Sequence, residues 1–251
     1  MMSSNLFSFN LNNMNLSHIK ESYLNLKEDE AKSIELKDYP FSTEETRKNM
    51  INWLIFLCNT LNFTNQTLFR SVSIFDQYIC TINKKEIDEM TQEKLNLITI
   101  ACLSLSTKLE EINCNYINFF TEKVLNTPNE KKFTNEDLTK MELIILKALK
   151  FKTLYSTSID FIEIYLEIFK NFLGPNNSFL TEQIILSIKN ISIDYMKNNI
   201  NNDSYLINNA SEFAYLCFLQ SLIQLNMINS FNMKQFEKAI ITFGCQFSSV
   251  F

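Results

Sequence analysis

Two charged side chains stand on helix faces that the sequence otherwise fills with small and apolar residues. Lys108, in the run LSLSTKLEEI, shares a face with Ala101 and Ser104, which precede it by seven and four residues. Glu142, in LTKMELIILKAL, lies on the apolar arc that contains Ile145. Because an unpaired buried carboxylate is costly, Glu142 needs a partner, a route to solvent or a binding role. A Lys108–Glu142 pair would satisfy both charges and could present a donor and an acceptor to another protein's backbone.

Lys108 also has a simpler interpretation. A lysine near a helix C-terminus complements the helix dipole, and its stem can lie on apolar surface while the ammonium group stays in water. Glu110 and Glu111 fit a helix end less well, because carboxylates in the last turn face the negative end of the dipole. For these two glutamates the sequence predicts only a solvated rim.

A second pair of opposite charges is predicted between two neighbouring helices. Arg47 precedes Met50 and Trp53 on the first strongly amphipathic helix, and Asp76 follows Phe75 on the next. A buried arginine can bind a carboxylate through two parallel hydrogen bonds, which suits a bridge between packed helices. We therefore expect Arg47 and Asp76 to form a structural ion pair.

Composition disfavours most other kinds of site. His18 is the only histidine, so histidine-based acid–base chemistry is not expected. Two glycines cannot build a glycine-rich phosphate loop, and no histidine–cysteine spacing suits a metal. A net charge of -5 matches nucleic acid poorly, and no apolar run has the length of a membrane span. We expect no catalytic residue, no metal or other cofactor, and no nucleic-acid or membrane partner.

The elements that carry these residues are predicted to be helices. With 2 glycines and 3 prolines in 251 residues, tight turns and β-bulges are scarce, which favours an all-α fold. Thr134 and Asp137 have the spacing of a helix-starting capping box, and Thr91 and Asn65 can cap two other helices. Residues 95–105 are apolar nearly all round, which predicts a helix buried on most sides.

The chain divides into three predicted parts. They are an N-terminal tail and helix at 1–37, a first helical bundle at 38–154 and a second at 155–251. We expect the N-terminal helix over 16–36, a short helix over 115–125, a break at Gly174-Pro175 and a last helix in MKQFEKAIITF. The six cysteines form no C-x-x-C pair, which favours reduced thiols in an intracellular protein. We expect a location in the nucleus, the cytoplasm or both.

Three segments, in order and with matching spacing, resemble the cyclin box. They are RKNMINWLIFLCNTLNFTNQTLFRSVSIFDQYI, KLNLITIACLSLSTKLEEI and LTKMELIILKALKF, in a best-matched region of about residues 43–161. In the second half, SYLINNASEFAYLCFLQSL is similar to the most recognisable helix of the C-terminal cyclin fold. The resemblance implies two tandem cyclin-like five-helix bundles preceded by a short N-terminal helix, with a non-enzymatic role.

The resemblance also implies a partner and a surface that contacts it. Cyclins bind and activate a cyclin-dependent Ser/Thr protein kinase as a heterodimer, and Lys108 and Glu142 match the lysine and glutamate that hold the kinase C-helix. Phe151 matches an apolar residue of the same interface, to which we also assign Leu109 and Glu111. Placing the C-helix lets its glutamate pair with the β3 lysine, which phosphate positioning requires. We expect a role in cell-cycle control.

Other parts of the family's pattern are kept or altered. Arg47 and Asp76 match the family's buried arginine and aspartate. Met50 and Trp53 match the groove that docks Arg-x-Leu motifs of kinase substrates or inhibitors, and Asn96 stands where a glutamine is usual. The family's methionine, isoleucine and aspartate are replaced here by Thr46, Asn49 and Asn52. The sequence thus predicts a docking groove with a depleted apolar surface.

Other functions are compatible with two cyclin folds. A transcription-type cyclin would bind a kinase in a different process, and a scaffold would bind proteins without activating a kinase. Basal transcription factors use two cyclin folds to hold promoter DNA and polymerase, but they need basic faces, which a net charge of -5 disfavours.

Overall fold

A computed structural model of the chain describes residues 14–33, 44–112, 120–125, 133–173, 178–202, 205 and 208–227. Every regular element in these ranges is helical, which confirms the all-α prediction. In chain order the elements are α1 (Met14–Ala31), α2 (Glu44–Thr60), α3 (Asn65–Ile79), α4 (Lys84–Asp88), α5 (Gln92–Glu110), a π-helix (Phe120–Leu125), α6 (Asn135–Ala148), α7 (Ser158–Leu173), α8 (Ser178–Asn199) and α9 (Ala210–Gln224).

Two helices begin at the capping residues that the sequence indicates. Thr134 and Asp137 form a reciprocal capping box at the start of α6. The Thr91 hydroxyl accepts a hydrogen bond from the Lys94 backbone N–H at 3.3 Å and caps α5. These caps set the starts of the helices that carry Glu142 and Lys108.

The cap of α3 differs from the sequence prediction by one residue. Thr64, not Asn65, is the N-cap, and its hydroxyl accepts from the Thr67 backbone N–H at 3.3 Å. The physical reason is backbone conformation, because Thr64 is extended (φ -67°, ψ 160°) while Asn65 is already the first helical residue.

Helix α5 is buried on most sides, as predicted. Every residue from Leu97 to Thr107 is buried, and the helix packs against α2, α3 and α6. Hydroxyl groups inside it are satisfied locally, since Thr99 donates to the Leu95 carbonyl and Ser106 to the Cys102 carbonyl, both at 2.9 Å. Its first turn, residues 92–94, and its last turn, from Lys108 onward, reach solvent.

The second half packs α7, α8 and α9 against one another, and α1 lies on α7. Tyr23 of α1 is buried with its ring centroid 5.9 Å from that of Phe161, in an edge-to-face contact. The buried apolar side chains of both halves form one cluster. The division between residues 154 and 155 falls in the non-helical segment between α6 and α7, and as a domain boundary it stays a prediction.

Two predicted helices differ in extent or type. Helix α1 spans Met14–Ala31, not 16–36, because the N–H groups of Lys32 and Ser33 bond back three residues and close a tight final turn. Of the short helix predicted over 115–125, the described part is a π-helix. Gly174-Pro175 and MKQFEKAIITF lie outside the described residues.

Candidate functional site

Helices α5 and α6 place Lys108 and Glu142 in direct contact. Lys108 is in the last turn of α5, and Glu142 lies in the middle of α6. Lys108 Nζ is 2.6 Å from both Oε1 and Oε2 of Glu142. The Lys108 side chain is 39% exposed, whereas that of Glu142 is only 7% exposed. A buried carboxylate is therefore neutralised by a lysine that also faces solvent.

The pair satisfies both interpretations of Lys108. Its ammonium group lies near the C-terminus of α5, where a cation complements the helix dipole. The same group supplies the hydrogen bonds that a buried carboxylate requires. Because Glu142 is surrounded by protein and Lys108 is not, the carboxylate depends on the pair more than the lysine does.

Large apolar side chains near the ends of α5 and α6 remain exposed, among them Leu109, Phe151 and Leu154. Leu109 is 43% exposed, Phe151 65% and Leu154 64%. Phe151 and Leu154 also line an open cleft of about 280 Å³ with Asp29 of α1 and Lys32, which directly follows α1. Single exposed apolar residues are ordinary, so a binding role for these side chains stays a prediction. We call Lys108, Leu109, Glu142, Phe151 and Leu154 the contact face.

The turn that presents Phe151 has an unusual backbone. Lys150 and Phe151 have φ of 52° and 60°, in the left-handed region that favours glycine. The turn is closed by hydrogen bonds from the Phe151 N–H to the Leu146 carbonyl at 2.7 Å and from the Lys150 N–H to the Lys147 carbonyl at 3.1 Å. Such conformations cost about 1 kcal/mol or more each and concentrate at functional sites. Here they end α6 and leave the Phe151 ring exposed.

Glu110 and Glu111 are partly exposed and are also bound within the chain, which the predicted solvated rim did not include. Arg70 Nε donates to Glu110 Oε1 at 2.8 Å. Glu111 Oε1 accepts from the Thr64 backbone N–H at 2.7 Å and from the Thr67 hydroxyl at 2.5 Å. Burial raises the pKa of Glu111, but the hydrogen bonds from Thr67 and Thr64 outweigh it and hold the pKa below the usual value. The kinase contact assigned to Glu111 stays a prediction.

The sequence missed these roles because the partners come from α3 and its N-cap, 40 or more residues earlier in the chain. No local pattern distinguishes a glutamate that caps a neighbouring helix from one that faces solvent. The signal that could have been used is Thr64, since a threonine before a helix offers a hydroxyl and a free backbone N–H to a nearby carboxylate.

Arg47 and Asp76 form a buried two-point bridge. Arg47 Nε lies 2.9 Å from Asp76 Oδ1, and Nη2 lies 2.7 Å from Oδ2. The side chains are 3% and 0% exposed. Arg47 Nη1 also donates to the Ile200 carbonyl at 3.0 Å, and its guanidinium carbon lies 5.3 Å from the centroid of the Tyr205 ring. The bridge thus ties α2 and α3 to the end of α8.

The residues of the possible docking groove are partly brought together. Met50 is buried, and Trp53 is half-buried against the core. Gln92 Nε2 lies 2.9 Å from Asn96 Oδ1 and 3.9 Å from Met50 Sδ, so one amide group links α5 to Met50. Asn52 on the same helix as Met50 accepts a hydrogen bond from Asn201 at 2.7 Å. Docking of substrates at this surface stays a prediction.

The described ranges contain neither a candidate metal site nor a candidate membrane span. No group of three or more histidine, cysteine, aspartate and glutamate side chains there could hold a metal ion. None of the helices described combines the length and hydropathy that crossing a membrane would require.

The helical architecture and the sequence together identify the family. The sequence family described as the N-terminal domain of cyclins matches residues 21–154, more than half of the chain. The chain belongs to the cyclin family. Its structure is similar to the X-ray structure of a viral cyclin from herpesvirus saimiri, with a TM-score of 0.59 over 81% of this chain and 82% of that one. The two are 21% identical, so this likeness supports the fold.

Curated relatives are similar at low identity. The G2/mitotic-specific cyclin-2 of Saccharomyces cerevisiae is 26% identical over 118 residues, 47% of this chain and 22% of that protein. Cyclin-A1-4 of Oryza sativa subsp. japonica is 24% identical over 184 residues, 72% of this chain and 43% of that protein. The chain thus spans less than half the length of these relatives.

Proposed function

We propose that the chain is a cyclin that binds and activates a cyclin-dependent Ser/Thr protein kinase by holding its C-helix, in cell-cycle control. The observation that carries this proposal is the Lys108–Glu142 pair, 2.6 Å apart and open to solvent only on the lysine side. Family membership supports a role as a regulatory subunit and not an enzyme. The names of similar proteins, among them G2/mitotic-specific and G1/S-specific cyclins, support the cell-cycle role.

The contact face has the composition that holding a helix requires. An ammonium group has three donors, so Lys108 can bind Glu142 and still donate to a carbonyl at a helix end. Leu109, Phe151 and Leu154 offer apolar surface that binding would remove from water, at roughly 25 cal/mol per Å². Fixing the kinase C-helix in this way lets its glutamate reach the β3 lysine.

Paired variants test the proposal. Lys108→Ala and Glu142→Ala should each weaken binding to the partner kinase at least tenfold, since a polar group at the centre of an interface is lost. The matched control is Lys140→Ala on the same α6, where Lys140 and Glu136 form an exposed pair at 2.8 Å. Binding is measured by calorimetry with kinases captured from the native source, after circular dichroism has shown that each variant is folded. Wild-type affinity in both variants would overturn the assignment.

The alternatives predict different results in the same preparation. A scaffold would form a kinase complex with no gain in phosphotransfer. A basal transcription factor would shift promoter DNA in a gel at physiological salt, which the net charge of -5 disfavours. A transcription-type cyclin would activate a kinase whose substrates belong to transcription. We propose a nuclear or cytoplasmic location, which fluorescence microscopy of the tagged chain can test.

A further inference from the structure

Arg70 is a buried cation at the meeting point of three segments. Its guanidinium donates from Nε to Glu110 Oε1 of α5 at 2.8 Å and from Nη1 to the backbone carbonyl of Tyr155. Nη2 lies 3.9 Å from Asp160 Oδ2 in α7. The residue is 8% exposed, so these groups and not water balance most of its charge. Arg70 itself belongs to α3, so it connects α3 to the end of α5, to the segment after α6 and to the start of α7.

Two of the groups that Arg70 holds, the Glu110 carboxylate and the Tyr155 carbonyl, are next to residues of the contact face. Glu110 directly follows Leu109 and comes two residues after Lys108. Tyr155 directly follows Leu154 and comes four residues after Phe151. The arginine therefore connects the part of the face carried by α5 to the part carried by the segment after α6.

Asp160, the third partner of Arg70, fixes the C-terminal end of the segment that follows α6. Asp160 Oδ2 accepts from the Thr157 backbone N–H at 2.7 Å and from the Thr157 hydroxyl at 2.8 Å. These bonds hold the start of α7 in place beside Arg70. The segment 151–157 is thus held at one end by the left-handed turn of Lys150 and Phe151, and at the other by Asp160 and Arg70.

The geometry of the guanidinium group suits it to hold acceptors that lie on separate segments. Its planar fork directs N–H groups at fixed angles, so acceptors on different segments are held in one arrangement. A lysine would keep the charge but offers only a single nitrogen. Glu110 also benefits, because a carboxylate in the last turn of α5 faces the negative end of the helix dipole and Arg70 offsets that repulsion.

We propose that Arg70 is a positioning residue for kinase binding. It holds the end of α5 and segment 151–155 in the arrangement in which Leu109, Phe151 and Leu154 form one surface. This inference rests on the proposed function, because the surface matters only if a kinase binds there. Arg70 is nearly buried and touches the partner only through the segments it holds.

The first test uses the free chain and needs no kinase. Arg70→Lys should speed amide hydrogen exchange at least tenfold in residues 108–112 and 151–157, because the Arg70 contacts bridge these segments. Exchange in α8 and α9, whose described residues include none of these hydrogen-bond or ion-pair partners of Arg70, should be unchanged. Glu110→Gln, a milder change at a partly exposed carboxylate, should affect residues 108–112 in the same direction. Unchanged exchange in both segments, or a uniform increase throughout the chain, would overturn the proposal.

The second test is a double-mutant cycle on kinase affinity. Arg70→Lys should weaken binding on the order of tenfold in the wild-type chain and by a smaller factor when Phe151→Ala is already present, since only Leu109 and Leu154 then remain to be positioned. Phe151 is 65% exposed, so its replacement should leave the fold intact. Independent, additive losses would contradict a positioning role. If Lys108→Ala and Phe151→Ala both bind as wild type, the proposed function fails, while the exchange test still decides whether Arg70 orders the two segments.

Discussion

Lys108 and Glu142 lie 34 residues apart in the sequence, yet Lys108 Nζ is 2.6 Å from both carboxylate oxygens of Glu142. The contact is unequal, because the lysine side chain is 39% exposed and the glutamate side chain 7%. Either partner can be removed, but only the loss of the lysine leaves a charge surrounded by protein. Replacing Lys108 and replacing Glu142 should therefore have different effects on the stability of the fold as well as on binding.

This asymmetry predicts unequal stability effects. Lys108→Met should lower the free energy of unfolding by about 1–3 kcal/mol, since the Glu142 carboxylate then loses its cation. Glu142→Gln should cost less than about 1 kcal/mol, because Lys108 can turn to water and the amide oxygen still accepts. Guanidinium-induced unfolding measures the free energy of unfolding of both variants. Lys140→Met, which breaks the exposed pair with Glu136, should have no measurable effect. A larger loss for Glu142→Gln than for Lys108→Met would contradict the asymmetry.

Much of the fold follows from local sequence signals. The Thr91 cap and the Thr134–Asp137 capping box lie within one helical turn of the groups they satisfy, so spacing alone indicates them. The burial of α5 follows from an apolar pattern that leaves it no polar face. Charges inside apolar arcs likewise singled out Lys108 and Glu142.

The rest depends on contacts between distant segments. Sequence alone predicts solvated positions for Glu110 and Glu111, but in the fold they bind Arg70 of α3 and its N-cap, Thr64. The left-handed backbone of Lys150 and Phe151 could not be predicted either, because neither residue type favours positive φ. In both cases tertiary packing overrides the local preference.

The hydrogen bonds of Glu111 predict a pH dependence. The pKa of Glu111 in the folded chain is below its ordinary value of 4.5, so the contribution of the carboxylate to stability is complete above about pH 4.5. That contribution is lost as pH falls from there through the folded-state pKa. The difference in unfolding free energy between wild type and Glu111→Gln should be constant near neutral pH and shrink below about pH 4.5.

Urea unfolding at a series of pH values measures this difference. Thr67→Val removes one of the donors that lower the pKa of Glu111. The stability contributed by the Glu111 carboxylate should then be lost at a higher pH, closer to pH 4.5. If the difference in unfolding free energy between wild type and Glu111→Gln grows on acidification, the hydrogen bonds from Thr64 and Thr67 do not stabilise the carboxylate.

The left-handed turn after α6 predicts a stabilising substitution. Lys150→Gly should raise the free energy of unfolding by up to about 1 kcal/mol, because glycine adopts φ near 52° without steric cost. The control is Lys152→Gly, two residues on and outside the positive-φ positions, which should destabilise through the added freedom of the unfolded chain. Thermal unfolding followed by calorimetry compares the two. Equal losses of stability would show that the turn stores no strain at Lys150.

The buried Arg47–Asp76 bridge predicts a graded loss of stability. Arg47→Met leaves Asp76, whose side chain is 0% exposed, without a cation, and should cost about 3–5 kcal/mol. Arg47→Lys should cost less, since it keeps the charge but not the two-point geometry with Asp76 or the bond to the Ile200 carbonyl. The double variant Arg47→Met with Asp76→Leu should recover much of the loss, because neither charge then remains buried. Guanidinium-induced unfolding measures the free energy of unfolding of Arg47→Met, Arg47→Lys and the double variant. A double variant less stable than Arg47→Met alone would mean that the bridge stabilises the fold by more than mutual neutralisation of its two charges.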